Sequence, residues 1–466
     1  MSKKFMIPYG STEIRDFAYR NRIDIINVSI PDSVQVIGLC AFNGCTNLKK
    51  ISIPSSVKFI DQYAFANCTS LEEIYIPNSV LSIAIGGFRN CISLRKVIIP
   101  NSVEEISHGV FENCVSLRSI TIPSSVKIIG ADVFKNCGIE NLSHPCIEIK
   151  NGLCIYEDRL MYCSDNSMMI AYIPTGIRTI SREAFYECGF LKKILFANTV
   201  SEIEFGAFGY CKSLEHIEIP ESVKAVGYEA FRGCNIFELH HKAIQIDKGL
   251  CIRGEVLDSC TYLNIENVVI PDLISVISSG AFQDFKKLNS VSFPNSLVEI
   301  GDYAFCGCTS LMKINLPSSL TSIGTNAFGC CISLENIYLP SSINSIGTFA
   351  FVETRIRSII IPESAVHLGS RMFLDCRELE SVIIECKIEE IPEFMFDGCV
   401  SLVDVSIPNS VKTIKKNAFC NCESLVNIEL PDSITVIENF AFNGCYSLSK
   451  QAKQMIRNHG YKGSFD

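Results

Sequence analysis

Residues 53–74 read Ile53-Pro54-Ser55-Ser56-Val57, then Ile60, Ala64-Phe65, Cys68, Leu71 and Ile74, and the chain then repeats itself: Ile76-Pro77-Asn78-Ser79-Val80, Ile83, Phe88, Cys91, Leu94, Val97. The unit is I-P-x-S-V-x-x-I-G-x-x-A-F-x-x-C-x-S-L-x-x-I-x, 23 residues long. Its phenylalanine is the ruler. It falls at Phe42, Phe65, Phe88, Phe111 and Phe134, at Phe185, Phe208 and Phe231, and at Phe282, Phe305, Phe328, Phe351, Phe373, Phe396, Phe419 and Phe442, with Tyr19 in register ahead of the first. That makes 17 coils. Strict repetition at such a period is the signature of a solenoid, in which each unit buries its apolar face against the next.

Most steps are 23 residues; Phe351 to Phe373 is 22, and two steps, Phe134 to Phe185 and Phe231 to Phe282, are 51. The long steps contain matching runs, Asn151-Gly152-Leu153-Cys154-Ile155-Tyr156 through Cys163 and Lys248-Gly249-Leu250-Cys251-Ile252-Arg253 through Cys260. Short β-prone runs around Glu157-Asp158-Arg159 and Arg253-Gly254-Glu255 predict hairpins projecting from the solenoid. The expected organisation is 1–140 as six coils, 141–175 as a hairpin insertion and 176–239 as three coils. It continues with 240–270 as a second insertion, 271–448 as eight coils and 449–466 as a cap, along one spine.

Within a unit, L-x-x-I-x-I alternates apolar and variable residues, which is strand periodicity. Proline then ends the strand because it has no N–H for the next ladder bond. A-F-x-x-C has the spacing of a single helical or 3₁₀ turn. The expected fold is a mostly-β α/β-type solenoid, a right-handed coil with a parallel sheet on one face and short helical turns on the other. After Leu448 the repeat stops, and Ser449 to Gly460 reads as a short helix, capped by Ser449 or Ser447, whose Ala452, Met455 and Ile456 cover the last coil.

The unit and its hairpin stretch, Arg159-Leu160-Met161-Tyr162 running to Ile170-Ala171-Tyr172-Ile173-Pro174, resemble the BspA-like leucine-rich-repeat family over about residues 7 to 448. The resemblance implies a cell-surface or secreted protein of a host-associated microbe, used in adhesion. The opening, Met1-Ser2-Lys3-Lys4-Phe5-Met6-Ile7-Pro8, lacks the apolar run of a secretory leader and predicts a cytoplasmic chain, with the cell surface the alternative the resemblance implies.

Composition narrows function. Hydrophobic residues make up 47% and charged residues 20%, and the net charge is −9. An acidic chain is not drawn to nucleic acid or anionic membranes, and no apolar run reaches the ~20 residues of a membrane helix. No H-E-x-x-H, phosphate-binding loop, dinucleotide fingerprint or G-x-S-x-G elbow is present, so no catalytic, cofactor-binding or metal residue is assigned. Of the 24 cysteines, 14 lie three residues after the ruler aromatic; Arg22, Phe285 and Thr354 replace them in the other coils. They read as reduced, buried, small apolar side chains. Cys154/Cys163 and Cys251/Cys260 share a nine-residue spacing; in a hairpin centred on Asp158-Arg159, Cys154 and Cys163 would be cross-strand neighbours, read as simple packing with a disulfide or redox role as the alternative. His240-His241 with Asp247 reads as exposed turn.

Function then falls to the variable strand positions, which point away from the core. Most are small or polar, such as Lys50, Ser52, Ser290 and Glu429. Tyr75 and Ile98 share one column in adjacent coils, and Tyr338, Ile360 and Ile383 share it in three. Stacked apolar residues on an exposed face mark a contact surface. The expected function is a non-enzymatic scaffold binding a protein or glycan. The alternatives are a surface adhesin or antigenically variable structural protein, and an enzyme with its site in a hairpin insertion.

Overall fold

In most coils the second half of L-x-x-I-x-I becomes a short strand with its middle residue inside and its neighbours turned outward, as in Lys50–Ser52, Glu73–Tyr75 and Ser290–Ser292. The computed structural model describes residues 5–130, 132–139, 141–144, 147–165 and 167–466. It is a mostly-β parallel solenoid of about 19 turns, more than the 17 aromatic-anchored coils because each long insertion adds a turn. It divides into two units, Met1–Cys234 and Asn235–Asp466.

In the first unit, strands from Phe5–Met6 to Asn141–Ser143 form a seven-stranded parallel sheet. Register advances one repeat per strand, for example Val28 opposite Ile51 and Ile74 opposite Val97. A second, narrower ladder was not expected. Two-residue strands ending at the isoleucine of V-x-x-I, from Glu13–Ile14 to Ile128–Ile129, form a six-stranded parallel sheet of their own. Two residues are too few to show a period of two in sequence.

The A-F-x-x-C segment divides its N–H groups between two tasks. Ala64, Ala66 and Cys68 donate three residues back, while Tyr63, Phe65 and Asn67 donate to Ile85, Gly87 and Arg89 of the next coil at 2.8–2.9 Å. Tyr63 and Asn67 have φ of 54° and 60°. Alternation of left-handed and right-handed residues keeps these turns from propagating as a helix. The ruler rings stack nearly parallel, 5.4 Å between centroids for Phe42 on Phe65 and for Phe305 on Phe328, an offset arrangement favoured by the ring quadrupole.

The cysteine column is more than apolar filler. The buried thiols of Cys68, Cys91 and Cys399 lie 3.1–3.2 Å from the carbonyl oxygens of Phe42, Phe65 and Phe373 of the preceding coil, as donors. Burial raises them, Cys91 to about 12. All 23 described cysteines are free thiols. Asparagine makes a second column: the amides of Asn67, Asn90, Asn113 and Asn136 each donate to the asparagine one coil back, at 2.7–3.1 Å.

The insertions differ from the projecting hairpins expected. In the first, Ile147–Lys150, Leu153–Tyr156 and Arg159–Cys163 form an antiparallel meander, and the last strand then pairs parallel with Thr179–Ile180 as part of the narrow ladder. In the second, Leu239–His241, Ile244–Asp247, Leu250–Arg253 and Val256–Cys260 do the same and join Val276–Ile277. Consecutive residues Leu153, Cys154 and Ile155 are buried, so both faces of that strand lie inside. Such a strand is a layer of the core, not an appendage.

The C-terminal helix, Lys450–Asn458, starts where Ser449 accepts the Ala452 N–H at 3.1 Å and buries Ala452 and Ile456. Past it, Tyr461 sets its ring edge against Phe442 at 5.7 Å and Phe465 is buried behind it. These two aromatics, within the 449–466 segment expected as a cap, extend its cover beyond the helix.

Candidate binding surface

The wide ladder presents two outward columns per coil. Its inner residues Ile74, Val97, Ile337, Ile359 and Val382 are buried. The residues that follow them face solvent: Tyr75 and Ile98 in the first unit, Tyr338, Ile360 and Ile383 in the second. Tyr75 lies directly opposite Ile98, and Ile360 directly opposite Ile383. Tyr338 sits in a coil where the ladder thins to a single bridge, Lys313 to Asn336, and is 78% exposed.

The sequence pattern left further members of this column unnoticed. Tyr172, at the end of the first insertion, lies opposite Leu195 of the three-coil stretch, and both are exposed, with Ile170 two residues earlier on the same face. Val269 is 74% exposed. The signal was the same column position, readable once the coils flanking each insertion are aligned.

In the first unit the surface is not flat. The meander strand Ile147–Lys150 stands beside the end of the wide ladder, enclosing a groove of about 830 Å³. Ile98, Thr121 and Leu142 line it, with Lys96 and Glu148 supplying charges of opposite sign. Ile98 therefore belongs both to the apolar column and to a concavity, the shape in which a ligand buries the most area.

Chemistry-bearing residues are elsewhere. Among the described residues no three His, Cys, Asp or Glu side chains converge as a metal site. His241 Nδ1 accepts the Ala243 N–H at 3.1 Å and so closes a turn, while His240 is exposed. Cys154 and Cys163, expected as cross-strand neighbours, are not, and neither are Cys251 and Cys260. Cys154 faces Tyr162, and Cys163 faces Leu153; Cys251 faces Ser259, and Cys260 faces Leu250. A one-residue register difference puts the two thiols of each pair on opposite faces of the strand pair. Among the described residues no helix is long and apolar enough to cross a membrane.

A family model for BspA type leucine rich repeat regions (6 copies) matches residues 12–141, 140–238, 257–380 and 366–454. Among solved structures, a leucine rich repeat protein of T. pallidum is 30% identical over 45% of this chain and 90% of its own, with a TM-score of 0.38. A leucine rich cell surface protein of Faecalibacterium prausnitzii is 22% identical, covering 86% of this chain and 87% of its own, TM-score 0.37. A leucine-rich repeat protein of Bacteroides ovatus is 22% identical over 87% and 92%, TM-score 0.31. No curated protein matches the chain at a significant level.

Proposed function

We propose a binding function for this chain, which belongs to the BspA-type leucine-rich-repeat family: the wide ladder is a rigid surface that holds a protein or glycan ligand, without catalysis. The observation that carries this reading is the run Tyr338, Ile360, Ile383, three apolar side chains in one column, all exposed, at 78, 51 and 43%. Neighbouring coils set them ~4.8 Å apart. Burying each supplies roughly 1.5–3 kcal/mol before the cost of association. Tyr75 and Ile98, beside the groove, form a smaller anchor of the same kind.

The test uses the intact chain and a variant with Tyr338→Ser, Ile360→Ser and Ile383→Ser together, each presented to a glycan array and to candidate protein ligands. The variant is expected to keep its melting temperature within a few degrees, because the altered side chains face away from the core, and to lose the ligand that the intact chain holds. A variant that binds undiminished removes this surface from consideration, and a variant that unfolds shows these residues to be core.

A further inference from the structure

Cys163 ends the first meander with sulfur on two sides. It is 3% exposed. Its Sγ lies 4.0 Å from Met168 Sδ, and its thiol is hydrogen-bonded to that of Cys188 in the next coil. Met168 is held by contacts from Asp165. Met168 N–H donates to Asp165 O at 3.1 Å, and Asp165 Oδ1 accepts from the N–H and Oγ of Ser167 at 2.9 and 2.6 Å. Asp165 and Met168 lie against Gly152, whose φ is +76°; a Cβ there would meet Asp165 Cβ at 2.9 Å and Met168 Cε at 3.0 Å. Glycine is required both by that φ and by the closeness of these two residues.

Three sulfurs bound to one ion at ~2.3 Å sit roughly 4.0 Å apart at the corners of a trigonal plane. The Cys163–Met168 separation already has that length. We infer that Cys163, Met168 and Cys188 form a three-sulfur site for a soft monovalent cation, with Cu(I) as its ligand. Thiolate and thioether donors select such an ion over harder divalent metals. Zinc would need a fourth donor, and among the described residues no further His, Cys, Asp or Glu completes a set. Binding replaces the two S–H protons with the ion and releases both to solvent. The resulting site carries one negative charge; in the metal-free protein the hydrogen bond with Cys163 and burial hold the Cys188 thiol above its ordinary range, with the Lys135 ammonium opposing, so its proton leaves as the ion takes its place. No electron changes hands.

The second meander is an internal control. The backbone is repeated: Cys260 N–H donates to Ala281 O at 2.9 Å where Cys163 N–H donates to Ala184 O at 2.6 Å, and Ile265 N–H donates to Tyr262 O at 3.2 Å where Met168 donates to Asp165. The sulfurs are not repeated. The residues 97 positions on from Cys163, Met168 and Cys188 are Cys260, Ile265 and Phe285. One thiol remains of the three donors, so the second meander supplies no such site.

The experiment titrates the reduced, full-length protein with Cu(I) under anaerobic conditions against bicinchoninate, and reads the copper shell by X-ray absorption. One equivalent is expected to resist the chelator, with three sulfur neighbours at ~2.3 Å. Cys163→Ser should abolish it, and Cys260→Ser should leave it unchanged. Met168→Leu keeps the packing volume and so stays folded; it should weaken retention by more than the ~10–100-fold that outer-shell partners cost. Equal losses in the Cys163→Ser and Cys260→Ser proteins, or copper spread over the thiol column in several equivalents, would overturn the assignment. So would no retained copper together with a Cys163–Cys188 disulfide formed in air, which would make the pair a redox couple.

Discussion

The two meanders follow one backbone plan and fill it with different chemistry. Leu153–Tyr156 with Arg159–Cys163 and Leu250–Arg253 with Val256–Cys260 are antiparallel pairs, and the register slips at the same place, after Cys154 and after Cys251. Each pair starts behind a glycine of positive φ, Gly152 at 76° and Gly249 at 78°. Each turns its last strand into the narrow parallel ladder. Inside, the first sets Cys154 opposite Tyr162, while the second sets Cys251 opposite Ser259 and buries Asp258 at 1% exposure, ion-paired with Arg253 at 3.6 Å. The residue 97 positions before Asp258 is Met161. The difference teaches that glycine and a few leucines specify the path, and that the remaining interior positions are free to carry thiols, a phenol or a charge pair.

The charge pair is where the comparison predicts the largest effect. Asp258→Ala leaves the mostly buried Arg253 guanidinium without the carboxylate 3.6 Å away. Removing one partner of a buried ion pair costs about 3–5 kcal/mol. Chemical denaturation should show that loss, and Met161→Ala in the first meander, which removes only part-buried apolar surface, should cost clearly less. Equal costs would mean that the ion pair contributes nothing beyond its packing.

Next comes the shared plan. Leu160 and Leu257 are both fully buried, each on the strand that enters the narrow ladder. Leu160→Ala and Leu257→Ala should each destabilise by about 2–5 kcal/mol through lost transfer energy and a residual cavity, and by similar amounts. Hydrogen exchange would localise the damage to the coils on either side. A negligible change in either variant would return that insertion to the status of a projecting hairpin.

Much of this was legible in the residues. The phenylalanine ruler located every coil it anchors, because stacking in a solenoid demands one ring per turn. Ile360 and Ile383 were placed outward by simple alternation from the buried Ile359 and Val382. The narrow ladder was hidden, since Phe59–Ile60 and its kin are two residues long and defined by bonds to other coils. The cysteine pairing of the first meander was misjudged because the hairpin was centred on Asp158-Arg159, whereas the turn is Glu157-Asp158 with Tyr156 opposite Arg159; the slip after Cys154 recovers only part of that offset and leaves Cys154 opposite Tyr162. The sulfur cluster needed three separate positions, Cys163, Met168 and Cys188, which only the packing of Met168 against Gly152 and the stacking of the next coil bring together.

The smallest effect separates the meanders by pH. Burial pushes the Cys260 thiol up to about 12. The Cys163 thiol, equally buried from solvent, is lowered instead, chiefly by the hydrogen bond from Cys188, with the contact to the Asp165 backbone helping. Cys188 is raised in turn and stays protonated through the range considered. In the unfolded chain each thiol titrates near its ordinary value of about 8.5. Between the lowered folded value of Cys163 and that ordinary value, the unfolded state binds more protons, so the contribution of Cys163 to stability grows as pH rises and is retained above it. For Cys260 the folded state binds more protons from about 8.5 upward, so its contribution falls as pH climbs toward 12. Metal-free wild type compared with Cys163→Ser should therefore gain relative stability as pH rises toward about 8.5, and compared with Cys260→Ser should lose it above that point. Urea midpoints measured at half-unit steps from pH 7 to 10 give both slopes. Slopes of the same sign would show that Cys188 does not distinguish Cys163 from an ordinary buried thiol, and would leave the first meander with no electrostatic feature that the second lacks.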